Sequence, residues 1–325
     1  MRNLNRPLVS IITPCFNCES YLDRYFSSIL HQTYAPLELI FINDGSTDAT
    51  AQIAQGYRTA LEKKGIRYTY LEQENAGQAA ALNRGLKLFT GEYLTWPDAD
   101  DEMTPDCIEK KVAYLQEHPE LDMCICKIIQ IEENNPQRDA GVLERIVPQG
   151  EDNLFEDLIY VKNIFYAPGG YMVRTSAVDE TIPNREIYPG RGGQNVQMLL
   201  PISYRRRYGY MDEALYKYYI RTSSHSHSID TTQKTIHQYE QFEALLIETL
   251  KRMPAEVYRQ YEARIRRRYS RVRFGLALDT QRPQLISRYY RELVNVGEAG
   301  SIDRLRFLKH TNFLLRRLFS RKSGE

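Results

Sequence analysis

Asp98, Asp100 and Asp101 put three carboxylates into four consecutive positions, the densest chemistry in the sequence. Like charges that close repel, and a divalent cation with hard oxygen ligands is the simplest relief. The preceding Gly91-Glu92-Tyr93-Leu94-Thr95-Trp96 is rich in aromatic and β-branched side chains and reads as a strand. Pro97 has no N–H to give to a sheet ladder, so pairing stops there and the acids follow the strand's C-terminal end. In an open α/β sheet that end is where ligands bind. The plain alternative is a solvated acidic turn, which an isolated Asp-x-Asp commonly is. A calcium loop of EF-hand type fails, because Met103 stands where a sharp-turn glycine is required and a strand leads in.

The elements that must position these acids repeat along the chain. Leu8–Thr13 reads as a strand, and Tyr21, Leu22, Tyr25, Phe26, Ile29 and Leu30 recur at helical spacing as far as Gln32. Leu37–Ile42 is an apolar strand with the character of one buried on both faces. A helix over about Asp48–Lys64, a strand over Ile66–Leu71 and a helix over Gln78–Phe89 precede the strand before the acids. A helix from Pro105 to about Glu117 and a strand over Asp122–Ile131 follow it. Strands starting near 8, 37, 66, 92 and 122 give the rhythm of βα units with right-handed crossovers, hence a mostly parallel sheet with flanking helices. Past Ile131 the pattern weakens. Glu132–Gly150 reads as a polar loop, Tyr166–Arg174 and Tyr188–Asn195 as glycine-rich turns, Val196–Tyr204 as a short helix and Tyr210–Tyr219 as a last strand. From Gln233 onward the reading is helical.

With 325 residues, 42% hydrophobic and 26% charged, the chain has an ordinary globular composition, which excludes global disorder. The net charge of +1 hides an asymmetry. Residues 231–325 carry 20 Lys+Arg against 10 Asp+Glu, leaving 23 against 32 in residues 1–230. The expected organisation is an α/β domain over 1–230 and a basic helical region over 231–325. The first residues lack the long apolar run of a signal peptide, and no stretch is long enough to span a bilayer. Five cysteines at irregular spacing, including Cys15-x-x-Cys18, suit reduced, non-ligating thiols and a cytoplasmic compartment.

Three loops fall at C-terminal strand ends and should converge on one cleft: Thr13–Asn17, Asn43–Ser46 and the acidic turn. Taken singly, Asp44 is a turn residue ahead of a helix and Phe16 a core residue. Taken together, Val9-Ser-Ile-Ile-Thr-Pro-Cys-Phe-Asn17, Glu38-Leu-Ile-Phe-Ile-Asn-Asp-Gly-Ser-Thr-Asp48, Glu74-Asn-Ala-Gly-Gln78 and Asp98-Ala-Asp-Asp101 resemble the nucleotide-sugar domain of family 2 glycosyltransferases, which have the GT-A fold. The resemblance implies an enzyme that moves a sugar from a UDP-sugar donor to a saccharide or glycolipid acceptor with inversion. It implies that Pro14 and Phe16 line the base pocket and that Asp44 accepts the N3–H of a uracil-type base. It further implies that Asp98 approaches the ribose and the metal shell, and that Asp100 ligates Mg2+ or Mn2+. In Tyr219-Ile-Arg221 and Ser224–Ser228, Arg221 would neutralise phosphate and His225 would join the metal, a polar surface loop being the alternative.

One departure bears on mechanism. Inverting members place a Glu-Asp pair after a glycine turn, and here Gly192-Gly193-Gln194-Asn195 carries amides instead. An amide cannot act as general base. Three explanations stand: Glu186 or Asp212 supplies the carboxylate, the amides bind acceptor and the base lies elsewhere, or the chain is catalytically weak; the rival of a different class is a non-catalytic nucleotide-sugar-binding protein. The basic C-terminal region is either a solvated helical face or a peripheral contact with an anionic membrane surface on the cytoplasmic side. Nucleic acid is disfavoured as a partner, since the basic run lacks a recognisable binding motif.

Overall fold

The structure, a computed structural model, describes residues 6–135, 139–147, 152–190, 193–205, 207–221 and 232–311. The chain divides into two compact units, Met1–Arg221 and Thr222–Glu325, a boundary slightly ahead of the expected one at residue 230.

In the first unit β1 (Val9–Cys15) leads to α1 (Leu22–Leu30), and β2 (Leu37–Asn43) to α2 (Thr50–Gly56) and α3 (Arg58–Lys63). The helix expected over Asp48–Lys64 is therefore two, broken at Tyr57. Next come β3 (Arg67–Glu72), α4 (Gln78–Leu86), β4 (Tyr93–Thr95), a two-residue β5 (Glu102–Met103) and α5 (Cys107–Glu117). The unit closes with β6 (Met123–Glu132), β7 (Asp139–Leu143), α6 (Leu154–Tyr160), β8 (Tyr171–Arg174), α7 (Thr175–Thr181), α8 (Gln194–Tyr204) and β9 (Tyr208–Ile220).

Every residue of β1 and β2 is buried, as two-faced coverage of an apolar strand requires. The strands form one sheet in the order β3-β2-β1-β4-β8-β6-β9-β5, with β7 on β6. The ladders β2–β3, β1–β2, β1–β4 and β6–β9 are parallel and carry most of the paired residues. The pairings of β8 with β4 and β6, of β7 with β6 and of β5 with β9 are short and antiparallel. Two expectations change here. The polar loop after Ile131 contains β7, and the glycine-rich Tyr166–Arg174 contains β8, which separates β4 from β6. β4 pairs only as far as Thr95 opposite Ile11, whereas β1 runs on to Cys15. The chain before Pro97 thus leaves the sheet early and delivers the acidic turn beside the ends of β1 and β2.

The second unit holds α9 (Thr232–Leu250), α10 (Ala255–Asp279), α11 (Pro283–Asn295) and α12 (Ser301–Thr311). Ile236, Phe274, Ala277, Ile286, Tyr289 and Leu293 form its core. Within the basic run, Arg264, Arg266, Arg267, Arg268 and Arg271 are exposed, but Arg273 is buried and ion-paired with Glu243. Arg273 therefore belongs to the interior and not to any basic surface.

Packing of α4 on the sheet depends on Gly85, where a methyl group would overlap Ile12 and sit 3.2 Å from Ile42 Cδ1. Gly85→Ala is expected to cost about 1–3 kcal/mol through overpacking. Gly56→Ala, with no atom within 4 Å of the added carbon, should be neutral or slightly stabilising. Urea denaturation midpoints of the two variants check the contrast.

Candidate active site at the C-terminal strand ends

Asp98, Asp100 and Asp101 each offer a carboxylate oxygen, and these atoms lie within 4.8 Å of one another. The three are not equivalent. Asp101 is buried, accepting from the Tyr216 hydroxyl at 2.9 Å and the Tyr219 backbone N–H at 3.0 Å. The Asp98 N–H in turn donates to the Tyr216 oxygen at 3.3 Å. β9 thereby anchors the turn through Asp101, and the Asp98 and Asp100 carboxylates stay outside that anchor. Tyr216 is itself wedged against Gly169, where any side chain would overlap its ring.

Two arginines surround the turn. Arg221 forms an ion pair with the Asp100 carboxylate and stacks 4.3 Å over the Tyr21 ring. Arg24 donates to the Asp100 carbonyl at 2.5 Å and to Glu133 at 2.9 Å, with its guanidinium 3.5 Å over Tyr219. The Nε atoms of both arginines are buried and have no hydrogen-bond partner among the described residues. Buried donors of this kind suit an anionic ligand. Burial pushes the Asp98 carboxyl up to about 7, with Arg221 opposing the shift, and it holds Asp101 well above the usual carboxylate range. Three carboxylates gathered this closely and offering only hard oxygen donors fit a divalent cation such as Mg2+ or Mn2+.

The second loop is built around Asp44. In Asn43-Asp44-Gly45-Ser46 the turn needs φ +72° at Gly45, and a Cβ there would lie 2.7 Å from the Asn75 nitrogen. The buried Asp44 carboxylate accepts from Gln73 Nε2 at 2.7 Å, Ala76 N at 2.9 Å and Gly77 N at 2.8 Å. Asp44 thus organises the loop leading into α4. An ionised carboxylate has about four acceptor positions, so one remains for a ligand.

Pro14 is buried in β1, while Phe16 is 43% exposed, against the expectation of a core residue for it taken alone. Asn17 ties the first loop to the second: its Oδ1 accepts from Thr47 N at 2.8 Å, and its own N–H donates to Ser46 Oγ at 2.9 Å. Gln194 and Asn195 are buried at the start of α8, and Asn195 Oδ1 accepts the Trp96 indole N–H at 3.0 Å. Glu186 and Asp212 are not drawn into this cluster. Glu186 pairs with Lys87 at 2.9 Å beyond the far end of α4 from Asp44, and Asp212 is an almost fully exposed partner of Lys127 at 2.7 Å. His225 lies outside the described residues. Sequence reasoning missed Tyr216, Arg24 and Gln73. Gln73 was findable, because the C-terminal end of the third strand is a further loop on the same side. Tyr216 and Arg24 carry no local signal.

The mostly parallel sheet with flanking helices and the helical C-terminal part are those of a GT-A fold, and the structural neighbours are GT-A glycosyltransferases. The sequence profile of glycosyl transferase family 2 matches residues 10–181, more than half of the chain, and the chain belongs to that family. It is 40% identical over 111 residues to the glycosyltransferase GlyA of Streptococcus pneumoniae, a match covering 33% of this chain and 15% of that protein. The chain covers between 15% and 45% of the length of eight such curated relatives. Among solved structures it resembles S. aureus TarS 1–349 in complex with UDP-GlcNAc, with TM-score 0.54, 17% identity and coverage of 96% and 91% of the two chains. It also resembles the Pyrobaculum calidifontis mannosyltransferase PcManGT in complex with GDP-Man and Mn2+, with TM-score 0.52, 14% identity and coverage of 98% and 88%.

Replacing Asp44 by Ala strips the acceptor from three donors at once. The expected cost is about 3 kcal/mol, since hydrogen bonds to charged groups contribute about 1.5–3 kcal/mol each and part is recovered by water. Asp44→Asn, which keeps one oxygen, should fall between Ala and the parent in urea midpoint.

Proposed function

We propose that this chain transfers a sugar from a UDP-sugar to a saccharide or lipid-linked saccharide acceptor, with inversion in a single in-line displacement. The observation that carries the reading is the gathering of Asp98, Asp100 and Asp101 just after β4, with the partly buried guanidinium of Arg221 against Asp100. Asp44, with one acceptor position left after its three protein hydrogen bonds, suits the N3–H of a uracil base, a donor that cytosine lacks. The exposed ring of Phe16 offers a face for that base, and Pro14 shapes the floor beneath. Arg221 and the unpaired Nε donors supply positive charge for a diphosphate. Asp100, with Asp98, would hold Mg2+ or Mn2+. When bound, such an ion supplies a Lewis acid for the charge that grows on the departing nucleoside diphosphate. The UDP-GlcNAc complex of TarS and the GDP-Man and Mn2+ complex of the mannosyltransferase, both similar in fold, support donor and cation of these classes.

A second reading, a nucleotide-sugar-binding protein without transferase activity, is favoured by one observation: Gln194 and Asn195 are amides, and the acids Glu186 and Asp212 are engaged elsewhere. Release of UDP from UDP-sugars in the presence of mixed saccharide acceptors separates the readings; donor binding without any release supports the second. For the donor site itself, calorimetry should show UDP affinity falling at least about tenfold on chelation or in Asp100→Ala, as expected when a charge-bridging cation is lost. Unchanged affinity in both cases would end the cation-bridged reading.

The second unit is proposed to meet an anionic membrane surface. On α12, Ile302 and Leu305 are each 67% exposed, and Arg306 and Lys309 share their helix face. Apolar side chains flanked by cations suit an interfacial helix. Sedimentation with phosphatidylglycerol liposomes should carry down the parent chain and leave an Ile302→Glu, Leu305→Glu variant in solution. Equal partitioning of the two would remove the idea.

A further inference from the structure

Asn83 is a buried polar residue of α4 that the function proposed above does not use. Its amide faces the chain between α7 and α8. Nδ2 donates to the Ile187 carbonyl at 2.8 Å, and Oδ1 accepts the Ile187 N–H at 2.8 Å. One residue further, the Tyr188 carbonyl accepts from Nε2 of the buried Gln197 of α8 at 3.0 Å.

Residues 186–190 belong to no helix or strand, yet Ile187 is buried. A buried backbone N–H and C=O need partners, and here side-chain amides stand where a neighbouring strand would. The Asn83 amide meets both groups of one residue at once. A carboxylate would set oxygen against the Ile187 carbonyl, and an aliphatic side chain would leave both groups unpaired. The segment is entered through Asn184 and Arg185 at φ +55° and +50°, two left-handed residues in a row. Such backbone persists where its surroundings over-determine it. Arg185 supplies part of that hold, donating to the Phe89 carbonyl at 2.9 Å and lying 4.1 Å over the Phe89 ring, just past the end of α4.

The two sides of this clamp serve different parts of the cleft. α4 begins at the loop that Asp44 gathers through the Ala76 and Gly77 N–H groups. The clamped segment leads into α8, whose Asn195 holds Trp96 beside the acidic turn. We infer that Asn83 is a positioning residue: by fixing the segment before α8 it sets Gln194 and Asn195 as the wall that meets the acceptor saccharide. The inference rests on the transferase reading above. Other residues hold the nucleotide, so loss of Asn83 separates acceptor use from donor binding.

The test compares three variants of the full chain. Asn83→Leu keeps the branched shape without the amide, and Gln197→Met, a milder change, cuts only the bond to Tyr188. Leu82→Ala, a loss of buried volume from the same helix, controls for lost stability. Hydrogen–deuterium exchange should quicken selectively in 186–190 and 194–199 for the first two and not for the third. UDP release from a panel of UDP-sugars is then measured with and without mixed saccharides. Saccharide stimulation should fall about tenfold in Asn83→Leu and less in Gln197→Met, while UDP affinity by calorimetry and release without saccharide stay unchanged. Unaltered exchange over 186–199 in Asn83→Leu overturns the inference, as does an equal loss of stimulation in Leu82→Ala or a matching fall in UDP affinity. A parent chain that binds UDP without saccharide-stimulated release sinks the transferase reading and the acceptor role with it, whereas the exchange contrast decides the clamp alone.

Discussion

A carboxylate that must be buried needs its lone pairs satisfied, and Asp101 is the point where this chain meets that demand. Its two oxygens are taken by the Tyr216 hydroxyl and the Tyr219 N–H, both from β9. Tyr216 in turn fits only because position 169 has no side chain, and the Gly169 carbonyl is held by the buried Lys111 ammonium from α5. A helix, a 3₁₀ turn and the longest strand of the unit thus converge on one acid. Leaving a buried acceptor unpaired costs about 1–3 kcal/mol, and more when it is charged. The acidic turn therefore has one economical position, and the directions in which Asp98 and Asp100 face follow from it.

The same turn sets the charge balance of the cleft. Three acids in four positions meet two guanidinium groups, each stacked on a tyrosine from the other's neighbourhood: Arg24 on Tyr219 and Arg221 on Tyr21. Stacking orients the planar fork, so that Arg24 reaches the Asp100 carbonyl and Arg221 its carboxylate. Among the described residues the Asp98 carboxylate has no ion pair or hydrogen bond of comparable directness, and burial pushes its carboxyl up to about 7 against the opposing charge of Arg221. Positive charge here is distributed by geometry, with Asp98 the acid left uncompensated.

Much of this was legible in the residues. The βα rhythm is a local signal, carried by apolar runs and helical spacing within each segment, and the first four strands formed where that signal placed them. β8 was not legible. It is four residues long, follows Gly169-Gly170 and exists because β4 and β6 hydrogen-bond to its two sides, partners far away in sequence. The break at Tyr57 was hidden by an unbroken helical pattern, although Phe26 stacks on that ring at 4.6 Å and marks it as a packing point. In the cleft, charge density betrayed Asp98, Asp100 and Asp101. Tyr216 and Arg24 were invisible because they lie 115 and 76 residues from the atoms they hold.

The amides at the start of α8 take on a physical meaning from the same arrangement. Asn195 accepts the indole N–H of Trp96, which lies two residues before Asp98, so this position is structurally joined to the acidic turn. A carboxylate could accept that bond equally well, which means that hydrogen-bond geometry does not select the amide. Charge does distinguish them. Asp98 and Asp101 already resist ionisation through burial, and Asp101 also through the nearby Asp98 charge. A fourth acid in the cleft, buried at residue 195, would raise that cost further unless it stayed protonated, and a protonated acid takes no proton from an acceptor. Neutrality at Gln194 and Asn195 keeps the cleft's negative charge on the turn, where Arg24 and Arg221 stand to meet it.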